Sequence, residues 1–248
     1  MTATRSQLAL KYIKQKMQRG ELPPGSRLSD FALADEIGVS RGPIREAIQA
    51  LVAEGVAEAR PHVGTFVKSL TREEFRELYE FREILESFAA GRVAERRDEL
   101  PDAIRLLRDT VETLRDIEAK ADANGWDELP KAVSAQHQEA DLTFHQTIVH
   151  AAGNRRVADA VNSSALHVRL FGSLPAPIVL FRMRSATYWH GKTLEAIESG
   201  DGAAAAAAMA EHVRAGLAYR LEQFDEAAEA APDSHPELPP ALQALVEA

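Results

Sequence analysis

Two groups of side chains in this sequence have the types and spacing to do chemistry. In VSRGPIREAIQAL, residues 39–51, Arg41, Arg45 and Gln49 stand four apart, and Ile44, Ile48 and Leu51 fall between them. A repeat near 3.6 residues turns that spacing into two opposed helix stripes, one apolar and buried, the other polar and able to reach a partner. An arginine can fork onto O6 and N7 of guanine, a glutamine can meet adenine or a phosphate, and Ser40 with the free amides of a helix start can hold a phosphate. The other group begins in DLTFH, where Asp141 and His145 are four apart on a patterned helix and so project from one face about 5–6 Å apart, a chelating spacing. His190 and His212 lie on two later helical patterns, and an antiparallel bundle can aim all four side chains into one interior site. Three imidazoles and a carboxylate suit Zn²⁺ first, and also Mn²⁺, Ni²⁺, Co²⁺ or Fe²⁺; a six-coordinate ion would leave positions open to water or a ligand. Spacing alone leaves competitors: His137 precedes Asp141 by one turn on the same face, and His150 and His167 are further alternatives. The plain reading of each group is a solvated helix face and a set of hydrogen-bonded histidines.

These groups need elements to position them. Leu8, Ala9, Tyr12, Ile13 and Met17 follow a helical period that Gly20 ends, and LPPG at 22–25 is a turn. Ser29 suits the N-cap of a short helix closed by Gly38, and Ser40 the N-cap of the next, whose first turn tolerates Pro43. After Gly55, VAEA and TFVK flank RPHVG, a hairpin with Gly64 able to take a positive φ at its tip. Helix, helix, turn, helix, hairpin is the order of a winged helix-turn-helix, which lays its second helix in the major groove. Arg60 and His62 on the hairpin are candidates for backbone or minor-groove contact, with simple exposure as the alternative.

Thr71 and Glu74 then form a T-x-x-E capping box that starts a new helix, so a first domain is expected at 1–70. Phe75, Leu78, Phe81, Leu85 and Phe88 repeat every three or four residues, and helical patterns cover roughly 101–120, 132–152, 154–171, 178–199 and 203–225. Residues 71–225 therefore read as an all-α antiparallel bundle, AAAAAAMA included, because alanine is the best helix former and Asp201 can cap it. The proline-rich 226–248 reads as a mobile tail. The fold class is mainly α, a winged helix-turn-helix followed by a helical bundle.

Charge follows the same division. The net charge of −9 argues against a DNA binder until it is split: residues 1–70 carry ten basic and seven acidic side chains, and the remainder nineteen and thirty-one. A weakly basic front on an acidic body suits local, specific contact with an anion. With no cysteine, disulfides and thiolate metal sites are excluded. No apolar run approaches the roughly 18 residues of a membrane span, and the N-terminal pattern has no signal-peptide core, so a cytoplasmic protein with no membrane partner is expected.

RLSDFALADEIGVSRGPIREAIQALVAEGVAEARPHVGTFV, residues 27–67, resembles the DNA-binding domain of GntR-family transcriptional regulators, including the turn, the arginines and the wing. It departs from the pattern at FALADEI, which lacks acidic or arginine positions that some members have. The resemblance implies that Arg41, Arg45 and Gly64 occupy DNA-contacting positions. Residues 71 to about 225, through YEFREILE, DLTFHQTIVHAAGN and H…LEAIESGD…AAMAEHV, resemble the FCD ligand-binding domain of the FadR-like branch. That likeness implies that the metal-binding positions are Asp141, His145, His190 and His212. It favours a small organic acid at a metal over fatty acyl-coenzyme A, whose binders commonly lack the full set. Arg82 is the candidate carboxylate partner in that cavity, with a salt bridge to Glu86 one turn on as the alternative.

The expected function is a one-component transcriptional regulator, in the main a repressor. It would be a homodimer on a roughly palindromic double-stranded operator, with a small acid as effector. A metal-dependent hydrolase with an accessory nucleic-acid domain is the rival, although there is no HExxH and no Ser-His-Asp or cysteine nucleophile pattern. A winged helix used only for protein contacts, with a structural histidine cluster, is the third reading.

Overall fold

The computed structural model describes residues 4–162 and 178–230. The chain starts with α1 (Arg5–Gln18), α2 (Asp30–Ile37) and α3 (Arg41–Ala53), followed by β1 (Ala57–Arg60) and β2 (Gly64–Val67). Thr4 and Gln7 form a capping box at α1, which the sequence reading passed over although the T-x-x-Q signature is present. Ser29 caps α2 by accepting from the Ala32 amide, and Gly38 ends it in the left-handed conformation, φ 74°.

The hairpin pairs Ala57 with Val67 and Arg60 with Gly64. Residues 26–28 lie along β2, with Leu28 donating to the Thr65 carbonyl and Val67 to that of Ser26. At the tip the positive φ expected of Gly64 is present, 134°, and His62 also takes one, 61°. The core beneath is Ala9, Ile13, Leu33, Ile44, Ile48, Leu51, Val56 and Val67, so the apolar stripe of α3 faces inward as its spacing requires.

The helical part runs α4 (Arg72–Glu95), a 3₁₀ turn (Arg97–Glu99), α5 (Pro101–Asn124), α6 (Lys131–Ala151), a helical stretch at 155–162, α7 (Leu180–Ser199) and α8 (Gly202–Ala230). The capping box at α4 is complete: Thr71 Oγ1 accepts from the Glu74 amide and the Glu74 carboxylate accepts from the Thr71 amide. α4 packs most extensively on α8, α7 on α8, and α5 on α6. Asp201 Oδ1 accepts from the Ala204 amide at the start of α8. That helix continues to Ala230, five residues past its expected end. Half of the predicted helix at 154–171, with His167, and all of the tail beyond residue 230, with His235, lie outside the described residues.

One expectation divides. Of the α4 stripe, Phe75 is fully buried, but Phe81 and Phe88 are 44% and 47% exposed, with Ile84 beside them at 67%. The inward face is instead Phe75, Tyr79, Arg82, Glu86, Ala89 and Val93, because the helix turns its polar pair toward a histidine cluster. Leu70 packs against both cores. Among the described residues no helix is long and apolar enough to cross a membrane. Thr71→Ala removes half of the α4 capping box and is expected to cost about 1 kcal/mol, measured by urea denaturation; an unchanged midpoint would contradict it.

Candidate functional site

On the front unit, Arg41, Arg45 and Gln49 are exposed along α3. Ser40 occupies the N-cap, but its side chain makes no capping bond. The physical reason is local: the third helical residue is Pro43, which has no amide to donate. The Ser40 hydroxyl and the first amides of α3 are thus left for an outside acceptor such as a phosphate. Both arginines converge on one residue that the sequence reading missed. Asp30 accepts from Arg41 Nη2 and from Arg45 Nε, each at 2.8 Å. The bonds from Arg45 and then Arg41 hold its carboxyl below the usual range. The two guanidiniums are therefore pre-positioned side by side at the start of the helix while remaining more than half exposed.

On the wing, Arg60 lies over the Phe66 ring at 4.6 Å and pairs with Glu58, and His62 is exposed. Gly64 carries the Arg27 side chain against its backbone, where a Cβ would come within 3.0 Å of Arg27 Nε. Arg27 thus joins the basic edge of the hairpin.

The second site is built from three helices. Asp141 and His145 are one turn apart on α6. His190 stands ten residues before Gly200 at the end of α7, and His212 ten residues after Gly202 at the start of α8. In an antiparallel pair, equal distances of about 15 Å from the connecting turn bring two residues level. The rings of His190 and His212 accordingly lie 4.3 Å apart. This symmetry about the turn was readable in the sequence and selects His190 and His212.

The nitrogens and the carboxylate point inward together. His145 Nε2 is 3.0 Å from His212 Nε2 and 3.4 Å from His190 Nε2. Asp141 Oδ1 is 3.6 Å from His190 Nε2 and 4.0 Å from His145 Nε2. An ion with metal–nitrogen bonds of about 2.0–2.1 Å holds its donors roughly 3.3 Å apart in a tetrahedron. The four donors, all within 4.8 Å of one another, are close enough to share one such ion. Behind it, Glu86 Oε2 accepts from His145 Nδ1 at 2.5 Å, which leaves the Nε2 lone pair facing the cluster.

The electrostatics agree with that geometry. Burial drives the His190 pKa down to about 3 and that of His212 well below its ordinary value, so neither ring stays protonated at neutral pH. Burial alone would raise the Asp141 carboxyl, but the imidazoles of His145, His190 and His212 hold it far below the usual range. Glu86, fully buried, is kept at about 2 because Arg82 and His145 outweigh its desolvation.

The remaining candidates separate cleanly. His137 is buried on the cavity wall with both ring nitrogens lacking a hydrogen-bond partner, and it is not one of the four converging residues. His150 is exposed and donates to the Gln146 carbonyl. Arg82 does form the alternative salt bridge, Nε to Glu86 Oε1 at 2.7 Å, with its guanidinium over Tyr79 at 5.0 Å. It nevertheless borders a cavity of about 160 Å³ shared with Asp141, His145 and His212.

Comparison with known proteins agrees with the two-part organisation of the chain. The FCD domain family profile covers residues 77–215, and that of the bacterial regulatory proteins of the gntR family covers residues 6–67. The chain belongs to the FCD branch of the GntR family. It is a DNA-binding transcriptional regulator. Over 206 residues the regulator is 29% identical to the probable D-xylose utilization operon transcriptional repressor of Paenarthrobacter nicotinovorans, spanning 83% of this chain and 84% of that protein. It is 27% identical to the transcriptional regulator LutR of Bacillus subtilis, over 79% and 92% of the two chains. The solved structure of E. coli McbR/YncC shares the fold, with a TM-score of 0.69 at 21% identity over 90% of this chain and 100% of that one.

In this GntR regulator Glu86 orients His145. Glu86→Gln is expected to weaken divalent-ion binding by about 10–100-fold, as outer-shell replacements do, read by competition with a chromogenic chelator. Unaltered affinity would remove Glu86 from the site.

Proposed function

We propose that the regulator binds a roughly palindromic operator as a homodimer, and that a small organic acid held at a divalent metal site changes that binding. The observation that carries the effector half is the convergence of Asp141, His145, His190 and His212 from three helices, with Asp141, His145 and His212 lining a cavity. These four residues would hold the ion, Zn²⁺ first by donor type and Mn²⁺, Ni²⁺, Co²⁺ or Fe²⁺ as alternatives; when bound it supplies a Lewis-acidic centre for a carboxylate. The cavity's 160 Å³ is below the roughly 300–1,000 Å³ of drug-sized pockets, which favours a short acid over a long acyl chain. Arg82, its Nε and Nη2 engaged by Glu86, offers the acid its remaining donors.

For the operator, Ser40, Arg41, Arg45 and Gln49 face the major groove, with arginines forking onto guanine and the helix start on a phosphate. Arg60, His62 and Gly64 follow the wing along the backbone or minor groove. The division is at residue 70, with 71–225 as the effector and dimerisation region. The exposed stripe of Phe81, Ile84 and Phe88 on α4 supports a two-fold contact, because apolar surface of that kind is seldom left to water. The effector biases the dimer between two separations of the recognition helices, which requires different affinities for the two arrangements. We take the action to be repression in the cytoplasm, as the name of the D-xylose relative suggests. Among the described residues, the cavity lining supplies no Ser-His-Asp or cysteine nucleophile pattern for the hydrolase alternative.

Arg45→Ala should cost about 1–3 kcal/mol at the operator and relax base preference, measured by titration of labelled DNA; unchanged affinity and footprint would refute the contact. His190→Ala should lose bound metal and the response to acid while DNA binding survives. Full occupancy by elemental analysis would show a different ligand set.

A further inference from the structure

The cavity wall carries more positive charge than its carboxylates neutralise. Arg82, Arg182 and Arg220 line it together with only Glu86 and Asp141. Arg82 is matched by Glu86, and Asp141 faces imidazoles. Arg182, in the first turn of α7, and Arg220, on α8, remain. Both guanidiniums lie over the one Tyr219 ring, at 5.2 and 5.9 Å. Neither forms an ion pair among the described residues. Arg220 donates from Nη1 to Gln223 Oε1 at 2.8 Å, while its Nε is shut off from solvent with no partner. Burial, offset in part by Tyr79 and reinforced by the neighbouring Arg182, lowers the Arg220 pKa below its ordinary value. Two like charges held against one ring and lining one cavity are unfavourable unless an anion compensates them.

The same cavity presents further unmet polar groups. Asn162 Oδ1 is buried without a partner, and an amide is nearly symmetric in shape, so it can turn its NH₂ to an anion instead. Gly216 keeps the wall open beside this pair, since a Cβ there would stand 3.3 Å from the Tyr79 ring and 3.7 Å from Arg182 Nη1. A monocarboxylate directed to the Asp141 and histidine cluster would leave Arg182 and Arg220 uncompensated.

Resting on the acid-binding reading above, we propose that Arg182 and Arg220 form a second anion seat, so that the effector is a short dianion with one end toward the Asp141–His145–His190–His212 cluster and the other on this arginine pair. The second group is a carboxylate or a phosphate, which share the charge and the donor geometry that guanidiniums recognise.

The test is calorimetric titration of full-length, Zn²⁺-loaded protein with butyrate, succinate and phosphoglycolate. At least one of the two acids with an anionic group at each end should bind about 10-fold or more tightly than butyrate, since a charge-assisted contact is stronger than a neutral one. Which dianion prevails separates carboxylate from phosphate. Arg182→Gln and, separately, Arg220→Gln should abolish that preference while leaving butyrate affinity and zinc content by elemental analysis unchanged. Arg220→Lys should restore part of the preference if Arg220→Gln disturbs folding. Equal binding of mono- and dianions by the wild type, or a preference that survives in Arg182→Gln, overturns the second seat while the acid site stands. Failure of every acid to bind the loaded wild type removes both.

Discussion

The buried His145 Nε2 faces the Nε2 atoms of His212 and His190 at 3.0 and 3.4 Å with a carboxylate beside them, and the rest of the helical region is organised around that constraint. Burial opposes protonation of His190 and His212, so their lone pairs cannot be reconciled by gaining protons at neutral pH. A shared cation would reconcile them without charging any ring. The constraint explains why α4 turns Arg82 and Glu86 inward and leaves Phe81, Ile84 and Phe88 outside: Glu86 is needed behind His145, and Arg82 is needed to keep Glu86 ionised in a dry interior. One cluster thereby ties α4, α6, α7 and α8 together, the helices that a bound effector would have to move.

The front unit obeys a different electrostatic rule. Asp30 holds Arg41 and Arg45 by hydrogen bonds while they stay more than half exposed. A phosphate or base edge that took an arginine would have to compete with Asp30, which weakens the attraction of these arginines for any anion. The acidic remainder of the chain acts in the same direction, since only the first 70 residues carry a positive balance.

Much of this was legible because it is encoded over one or two turns of chain. Ser29, Gly38, the Thr71–Glu74 box and the stripe of Ile44, Ile48 and Leu51 each act through neighbours within a few residues, and each appears where its spacing places it. The cluster residues were also within reach: Asp141 and His145 from one turn of helix, His190 and His212 from their equal distances to a shared turn. What spacing left open was the choice between these and His137. That choice depends on which face of α6 meets α7 and α8, a packing fact with no local signature. Glu86 behind His145, 59 residues away in sequence, and Asp30 across from α3 were missed for the same reason. So was the pairing of Arg182 with Arg220, which helical periodicity cannot distinguish from two solvated side chains. Ser40 takes the N-cap it was expected to take but makes no side-chain bond there, for a local reason, Pro43, that the sequence did contain.

The most direct measurement is an anomalous difference map from crystals of the metal-loaded regulator, collected on both sides of the absorption edge of the added ion. One peak per chain within bonding distance of Asp141, His145, His190 and His212 is the predicted result. A peak centred on His137, or none at the cluster in protein shown by elemental analysis to carry stoichiometric metal, would contradict the account.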